Sequence, residues 1–306
     1  MTGTLRTLVA PEPLVLLDRA DPAAVWDLAA LRARRASGKR GRVAIDHRFQ
    51  KVLPPMSRVV VRDDDADAPC VRVTSCDYAA GEELPLFALR TLLREERPGD
   101  RVFAPPAGLP RPDDALARIA ASLEARYLWG GTSAAGSPAL ERELEALGLV
   151  PAAERAADPD LAILARVAGI DCSGLLDLAT GFRFLGDCRH LLGAFPGALV
   201  PIPAGAEEGP DRIAAILRPL DVLLYRGHLV IVTEDGSVTQ AVGEGANAET
   251  FARATGADPE RKYDGVVRDD AAPILEALIR LQGRRFASDP RAYDDRHVLV
   301  VRPFGT

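Results

Sequence analysis

A cysteine flanked by polar residues occurs at 171–175, in the run Asp-Cys-Ser-Gly-Leu, and its setting suits nucleophilic chemistry. Asp171 is a good helix N-cap and leucines follow it, so Cys172 is predicted to open an apolar helix. There the helix dipole and the free amide groups favour the thiolate. The competing interpretation is a buried structural cysteine, because cysteine is often a small core residue. The neighbouring motifs decide between these two interpretations.

Two further motifs flank this cysteine. Upstream is Tyr-Leu-Trp-Gly-Gly-Thr-Ser at 127–133, and downstream Leu-Asp-Val-Leu-Leu-Tyr at 220–225 precedes Gly-His-Leu-Val-Ile-Val at 227–232. The order and composition resemble the NlpC/P60 cysteine peptidases, which have aromatic-x-Trp-Gly-Gly, Asp-Cys-Ser-Gly, a Gly-Asp-Leu-Val-like strand and a His opening the next strand. The resemblance covers about residues 115–245. Leu220 stands where the family pattern usually has Gly.

The resemblance implies a catalytic trio. Cys172 is the nucleophile, His228 is the general base that later returns the proton to the leaving amine, and Gln240 orients the imidazole. A thiol needs a nearby base, and the base needs a partner on its other ring nitrogen. Gln240 offers an amide oxygen, which should stabilise the imidazolium less than a carboxylate would. No metal or organic cofactor is expected, since thiolate, imidazole and oxyanion donors suffice for acyl transfer.

The resemblance also implies substrate contacts beside the nucleophile. Asp171 and Ser173 occupy positions that bind the α-ammonium group of a peptide substrate, although simple helix capping is an equal alternative for Asp171. The amide group of Cys172 is the natural oxyanion donor. Tyr127 is expected near the cleft, where its hydroxyl positions Cys172 or substrate, with core packing as the alternative.

The hairpin that joins the two strands decides whether Gln240 can meet His228. A three-residue loop at 234–236 pairs residue 230 with 240 and puts both side chains on one face, because side chains alternate along a strand. A two-residue loop pairs 231 with 240 and separates them. We expect the three-residue loop, with Gly236 at a positive φ, and a two-residue turn is taken to exclude Gln240.

Other residue clusters are assigned structural roles. Cys188 and His190 lie two positions apart and would point to different sides of a helix, so we expect Cys188 to be structural. His47 and His297 have no metal-ligand spacing around them. The acidic run 63–65 lacks the glycine and final glutamate of a calcium loop and is predicted to be a solvated turn.

The elements that must position these residues divide at a Pro-rich stretch, 103–114, which suits a linker. Residues 1–110 are predicted to be β-rich, with an early helix at 22–35 and a solvated basic loop at 37–42. The strand rhythm resembles the SH3-like β-barrels that precede this catalytic domain in many relatives. Strands are predicted at 42–46, 57–63, 70–78 and 83–89. In such relatives the barrel borders the cleft, a role open here to Tyr78, Glu82 or Glu83.

Residues 111–306 are predicted to form the catalytic domain, of α+β class, with a papain-like arrangement in which the helix bearing the Cys packs on an antiparallel sheet. About thirty-five residues, 134–168, separate the Trp-Gly-Gly and Asp-Cys motifs, where relatives have a handful. This helical insert is either a rim beside the nucleophile or a packed embellishment. Helices are predicted at 113–127, 139–147, 159–167, from 172, and at 272–282, and strands at 221–225, 228–232, 237–242 and 296–303.

Composition sets the class of protein. The chain has 306 residues, 47% of them hydrophobic, which is ordinary globular usage and fits two domains. The formal net charge of -6 weighs against a nucleic-acid partner. Four cysteines are too few for a disulfide scaffold, and they include no Cys-x-x-Cys pair. The sequence contains no run of about 18 apolar residues, so no membrane span is predicted. With no export signal either, we expect a cytoplasmic protein.

The sequence thus predicts a cysteine peptidase that cleaves an amide bond in short cell-wall peptides. In the family resembled, that bond usually joins γ-D-glutamate to a diamino acid, and cytoplasmic location favours recycled muropeptides with a free amino-terminal L-alanine. One alternative is an amidase or transpeptidase that uses the same site on another amide or ester. Another is a non-catalytic muropeptide-binding protein. The oligomeric state is left open.

Overall fold

The computed structural model describes residues 4–36, 49–78, 85–234, 236–243, 246–257 and 264–305. Its strands are β1 (Thr4–Ala10), β2 (Leu14–Leu17), β3 (Phe49–Leu53), β4 (Ser57–Asp63), β5 (Cys70–Ser75), β6 (Leu86–Leu89), β7 (Thr132–Ser133), β8 (Gly169–Ile170), β9 (Val222–Tyr225), β10 (His228–Glu234), β11 (Ser237–Val242), β12 (Gly265–Asp270), β13 (Arg285–Ala287) and β14 (His297–Val301). Its helices are α1 (Pro22–Val25), α2 (Leu28–Ala36), α3 (Pro112–Ala121), α4 (Pro138–Ala146), α5 (Ala152–Ala157), α6 (Pro159–Arg166), α7 (Cys172–Ala179), α8 (Leu191–Ala194), α9 (Pro210–Ala214), α10 (Ala246–Thr255) and α11 (Ala271–Glu276).

The architecture is mixed α+β, with strands that pair antiparallel except for β13 and β14, so the predicted class is confirmed. The chain forms two compact units. Residues 1–105 and 128–170 make the first, and residues 106–127 and 171–306 make the second. Among the described residues, no helix has the length and apolar character needed to cross a membrane.

The first unit contains a sheet with strand order β1-β4-β5-β6-β2-β3. The predicted strand at 57–63 is confirmed as β4, and the predicted strand at 70–78 ends three residues early, at Ser75. The strand predicted at 83–89 is seen from Leu86 onward. The strand predicted at 42–46 and the basic loop at 37–42 lie outside the described residues.

The segment predicted as an insert of the second domain packs in the first unit instead. Leu140, Leu144, Leu161 and Leu164 are buried in one cluster with Val15, Leu17, Trp26 and Val52. The hydroxyl of Thr132 donates to the carbonyl of Val52 over 2.9 Å, and Glu12 accepts from the amide of Ala139 at the start of α4. These leucines complete the apolar core of the first unit, so residues 128–170 belong to that unit.

The second unit is built on a sheet of order β12-β11-β10-β9-β14-β13. The predicted strands at 221–225, 228–232, 237–242 and 296–303 are confirmed as β9, β10, β11 and β14. Its core gathers apolar side chains of β9 to β12, β14 and helices α9 to α11, including Leu223, Val230, Phe251 and Ile274. Helix α7 packs against β10 and β11. Strands β10 and β11, which carry His228 and Gln240, therefore contact both a neighbouring strand on each side and helix α7.

Several predicted helices have shifted ends. The helix predicted at 22–35 divides into α1 and α2, because Asp27 caps a new start by accepting from the amide of Ala30. Helix α3 ends at Ala121 and does not reach Tyr127. The helix predicted at 272–282 is α11 followed by a π-helical turn, Ala277–Leu281. Helices α4 and α6 lie within one residue of their predicted bounds, and α7 begins at Cys172 as predicted.

Candidate active site

Cys172 is the first residue of α7, and Asp171 caps that helix. The carboxylate of Asp171 accepts from the amide of Gly174 and from the hydroxyl of Ser173, the latter over 2.9 Å. All three residues at 171–173 are buried. Capping, one of the two roles foreseen for Asp171, is thus present. It holds the start of the helix, where four amide groups of any α-helix lack an intrahelical acceptor.

The thiol of Cys172 is unusually acidic. A hydrogen bond with Cys188 lowers its pKa most, burial opposes that effect, and His228 lowers the pKa further both as a hydrogen-bond partner and through its charge. Together they bring the pKa from an ordinary 9.0 to about 5. This shift favours the thiolate, the nucleophilic form of cysteine, near neutral pH.

His228 opens β10 and meets Gln240 on the neighbouring strand β11. The distance from His228 Nε2 to Gln240 Oε1 is 3.1 Å, and both side chains are buried. A carbonyl oxygen only accepts hydrogen bonds, so Nε2 must carry the hydrogen. Nδ1 is then the ring nitrogen left to exchange a proton with the sulfur of Cys172.

The β10–β11 hairpin brings His228 and Gln240 together with a turn and a β-bulge that the sequence did not predict. Ile231 lies opposite Thr239, a register that places residue 230 opposite Gln240 and puts His228 on the same face, as expected. The ladder closes at Glu234 and Ser237, with Gly236 at φ 76°. Only two residues separate that closing pair, so the expected three-residue loop was wrong in length. A β-bulge between Val232 and Glu234 restores the register, and our criterion that a two-residue turn excludes Gln240 was wrong because it ignored bulges.

Asp269 on β12 is a fourth member of the site that the sequence reasoning missed. The amide nitrogen of Gln240 donates to Asp269 Oδ2 over 3.4 Å, and Asp269 is buried. Because a carboxylate accepts, this contact turns the amide oxygen of Gln240 toward His228. The signal was the pattern Gly-Val-Val-Arg-Asp-Asp at 265–270, which was not predicted to be a strand although it pairs with β11.

Cys188 was assigned a structural role, and it is buried, but it also contacts Cys172. Cys188 Sγ lies 3.5 Å from Cys172 Sγ. Burial and the contact with Cys172 raise the pKa of Cys188 well above its ordinary value. His190, its neighbour in sequence, lies with Nδ1 2.9 Å from Asp187 Oδ1. The opposite shifts of the two pKa values favour a proton on Cys188 and a thiolate on Cys172, an arrangement that the spacing in sequence does not reveal.

Aromatic side chains pack around the imidazole of His228 and near Cys172. The rings of Tyr225 and Phe251 lie 5.5 Å and 6.4 Å from that of His228, centroid to centroid. Tyr127 packs on Gly243, where a Cβ atom would lie only 2.5 Å from the tyrosine ring. Burial raises the pKa of Tyr127, and the nearby charge of Cys172 adds to the effect. Tyr127 thus packs against the end of β11 near Cys172, a position compatible with either role predicted for it.

The strand before His228 explains one departure from the family pattern. Leu220, at the usual Gly position, has φ 69°, the left-handed region that glycine adopts most easily. Asp221 is fully buried and forms two hydrogen bonds of 2.8 Å with the guanidinium of Arg302. Tyr225 pairs directly with His228, so the predicted tight turn at Arg226 and Gly227 is confirmed. The backbone that glycine would favour is present although the residue is leucine.

The Trp-Gly-Gly motif belongs to the first unit. A Cβ atom at Gly131 would lie 2.4 Å from the carbonyl oxygen of Gly169, so the strands β7 and β8 require glycine there. Tyr78, a candidate for the cleft, is buried, and Glu82 and Glu83 lie outside the described residues.

The residues set aside as structural have partners of their own. Asp63 accepts from Arg90 over 2.9 Å, and His297 pairs with Asp294 over 3.0 Å. His47 lies outside the described residues. In the part of the chain that the structure describes, no group of three or more His, Cys, Asp or Glu is arranged to hold a metal ion.

No protein-family model matches the sequence, and no curated protein matches it. The second unit presents a buried cysteine with a lowered thiol pKa at a helix start, an imidazole with a defined hydrogen-bond partner, and a carboxylate behind that partner. This arrangement can carry out nucleophilic acyl transfer, in which sulfur attacks a carbonyl and the imidazole moves the proton.

Proposed function

We propose that this chain is a cysteine hydrolase of the NlpC/P60 type, whose second unit is a papain-like catalytic domain. The observation that carries the proposal is the hydrogen bond between His228 Nε2 and Gln240 Oε1, beside a Cys172 thiol whose pKa is about 5. These three residues were singled out from the motifs alone. The left-handed backbone of Leu220, at the family's Gly position, is independent support.

The mechanism follows from the positions of the three side chains. The thiolate of Cys172 attacks the carbonyl carbon of an amide, and the amide group of Cys172, which lies at the start of α7, donates to the oxyanion in the proposed mechanism. The imidazolium of His228 gives its proton to the leaving amine, and the imidazole then activates water against the thioester. Gln240 keeps the ring in place through both steps, and Asp269 keeps Gln240 in place.

For the substrate we propose short cell-wall peptides with a free amino-terminal L-alanine, cleaved between γ-D-glutamate and a diamino acid. Support comes from Asp171 and Ser173, a carboxylate and a hydroxyl on either side of the nucleophile, which suit an ammonium group. The six-stranded antiparallel sheet of the first unit supports an SH3-like module, which in relatives restricts the cleft to short peptides. The place of action proposed is the cytoplasm, where wall fragments are recycled.

The substrate is tested with the tripeptide L-Ala-γ-D-Glu-meso-diaminopimelate, with release of L-Ala-D-Glu followed by mass spectrometry. We expect the wild type to release the dipeptide and the variant Cys172→Ala to release none. The variant Cys76→Ala is the matched control, since Cys76 lies in the first unit and has no place in the mechanism. Binding of the tripeptide without cleavage by the wild type would instead favour a muropeptide-binding protein.

The reaction class is tested separately with an activated ester, p-nitrophenyl acetate. A cysteine hydrolase releases p-nitrophenol in a burst equal to the enzyme present, with acetyl on Cys172. A burst from a protein that leaves the tripeptide intact would keep the reaction class and reject the peptide substrate, in favour of an amidase or transpeptidase. Equal ester hydrolysis by the wild type and by Cys172→Ala would reject the proposed nucleophile.

A further inference from the structure

Two cysteines lie side by side at the starts of two helical segments. Cys172 Sγ and Cys188 Sγ are 3.5 Å apart, and both thiols are free and buried. Each cysteine follows an aspartate that caps its segment, since Asp171 caps α7 and Asp187 caps the 3₁₀ turn Cys188–His190. The proximity of the sulfur atoms is therefore built into the local structure on both sides.

The segment that carries Cys188 is held by its own hydrogen bonds. The carboxylate of Asp187 accepts from the amide of Arg189 over 3.2 Å and from its guanidinium over 2.9 Å. His190 reaches back to Asp187 and completes a capping box. Cys188 is thus fixed at the start of a short, well-bonded turn, with its sulfur against that of Cys172.

We propose that Cys172 and Cys188 form a reversible oxidation site, at which a peroxide converts the two thiols into an intramolecular disulfide. The proposal does not depend on the hydrolase activity, because it concerns only the two sulfur atoms. A disulfide at this position would remove the nucleophile and would also protect it from irreversible oxidation.

The chemistry balances in two steps. The thiolate of Cys172 attacks one peroxide oxygen, so that an S–O bond forms, the O–O bond breaks, and the alkoxide or hydroxide that leaves takes up a proton from water. Cys172 is now a sulfenic acid. The sulfur of Cys188 then attacks that of Cys172, the S–S bond forms, and hydroxide leaves with the Cys188 proton as water. Two electrons have passed from the sulfur pair to the peroxide, and a dithiol reductant reverses the result.

The pKa values of the two thiols are shifted in opposite directions, as these two chemical steps require. Cys172, with the lower pKa, is the thiolate that meets the oxidant, and Cys188, whose pKa is raised, keeps its proton until the second step. A disulfide holds its sulfur atoms about 2.05 Å apart, so the pair must approach by about 1.5 Å. A change of side-chain rotamer moves a sulfur atom on that scale.

The sequence provides a direct readout. Trypsin cleaves after Arg166, Arg183 and Arg189, which places Cys172 in the peptide 167–183 and Cys188 in the peptide 184–189. A disulfide between them joins two peptides that are otherwise separate. The experiment treats the reduced full chain with hydrogen peroxide near pH 7, followed by intact mass and a non-reducing peptide map.

We expect the wild type to lose about two mass units, to yield the joined peptides, and to lose iodoacetamide labelling of Cys172 by about tenfold, with recovery in dithiothreitol. The variant Cys188→Ser keeps a hydrogen-bond donor but cannot form the disulfide, so its Cys172 should gain about 32 mass units irreversibly. The variant Cys76→Ala should behave as the wild type. Sulfinic acid on Cys172 of the wild type without joined peptides, or a disulfide between two chains only, would overturn the proposal. These masses are read whether or not the protein hydrolyses any peptide.

Discussion

Replacing Cys188 by alanine is expected to raise the pKa of Cys172 from about 5 to between about 6 and 7. The hydrogen bond from the Cys188 thiol is the largest influence that lowers this pKa, and burial works against it. A hydrogen bond to a charged group contributes about 1.5 to 3 kcal/mol, and 1.36 kcal/mol corresponds to about one pKa unit. Removing the donor destabilises the thiolate by that amount, so the pKa rises.

The assay is the rate of iodoacetamide alkylation between pH 4 and pH 9, read on the tryptic peptide 167–183. In the wild type the rate should rise with a midpoint near pH 5 and stay flat above about pH 6. In Cys188→Ala the midpoint should move up, while the plateau rate should increase about three- to eightfold, because a more basic thiolate is intrinsically more nucleophilic. The variant is thus slower than the wild type near pH 5 and faster near pH 8.

The variant Cys188→Ser is the matched control, since a hydroxyl can still donate to the thiolate. Its midpoint should lie between those of the wild type and Cys188→Ala. A wild-type rate that still climbs tenfold between pH 7 and pH 8 would show that the Cys172 thiol is not acidified. Equal midpoints in the wild type and Cys188→Ala would show that Cys188 is not the cause.

Three further predictions concern Gln240, Asp269 and Arg302, which support other residues of the second unit. Gln240→Ala should lower kcat by about tenfold or more with little change in KM, because the imidazole loses its orienting partner. The measurement is steady-state kinetics on the tripeptide, and an unchanged kcat would contradict the orienting role of Gln240. Asp269→Ala should lower kcat, whereas Asp269→Asn should keep most of the wild-type kcat, since an amide oxygen can still accept from Gln240. An equal loss of kcat in both variants would show that the charge of the carboxylate matters and its hydrogen bond with Gln240 does not. Arg302→Met should lower the free energy of unfolding in urea by about 3 to 5 kcal/mol, because the buried carboxylate of Asp221 loses its ion-pair partner and keeps, among the described residues, only the amide of Arg218 as a donor. A loss below about 1 kcal/mol would contradict the structural role of this ion pair.

The sequence was most informative where a pattern is local. Short runs of apolar and β-branched residues predicted β9, β10 and β11, and an aspartate before an apolar run predicted that α7 begins at Cys172. Parity along the strands predicted that His228 and Gln240 share a face. These features depend on neighbours in the chain, and therefore the residues themselves encode them.

Features that depend on tertiary packing were not predicted. The bulge between Val232 and Glu234 adds a residue to one strand, which no alternation pattern reveals. Cys188 reaches Cys172 only because the chain after α7 returns to the start of that helix, and Asp269 reaches Gln240 only across a strand pairing. The segment 128–170 was expected in the second domain because it is adjacent in sequence, whereas its leucines complete the core of the first unit.

The central claim is that Cys172 attacks the substrate and carries it as a thioester. The most direct test mixes the protein with the tripeptide, quenches in acid within the first turnover, and maps the tryptic peptide 167–183 by mass spectrometry. We predict that this peptide gains the mass of the L-Ala-D-Glu acyl group in the wild type and not in Cys172→Ala. Release of the dipeptide by Cys172→Ala at the wild-type rate, with no adduct on 167–183 in any variant, would contradict the account.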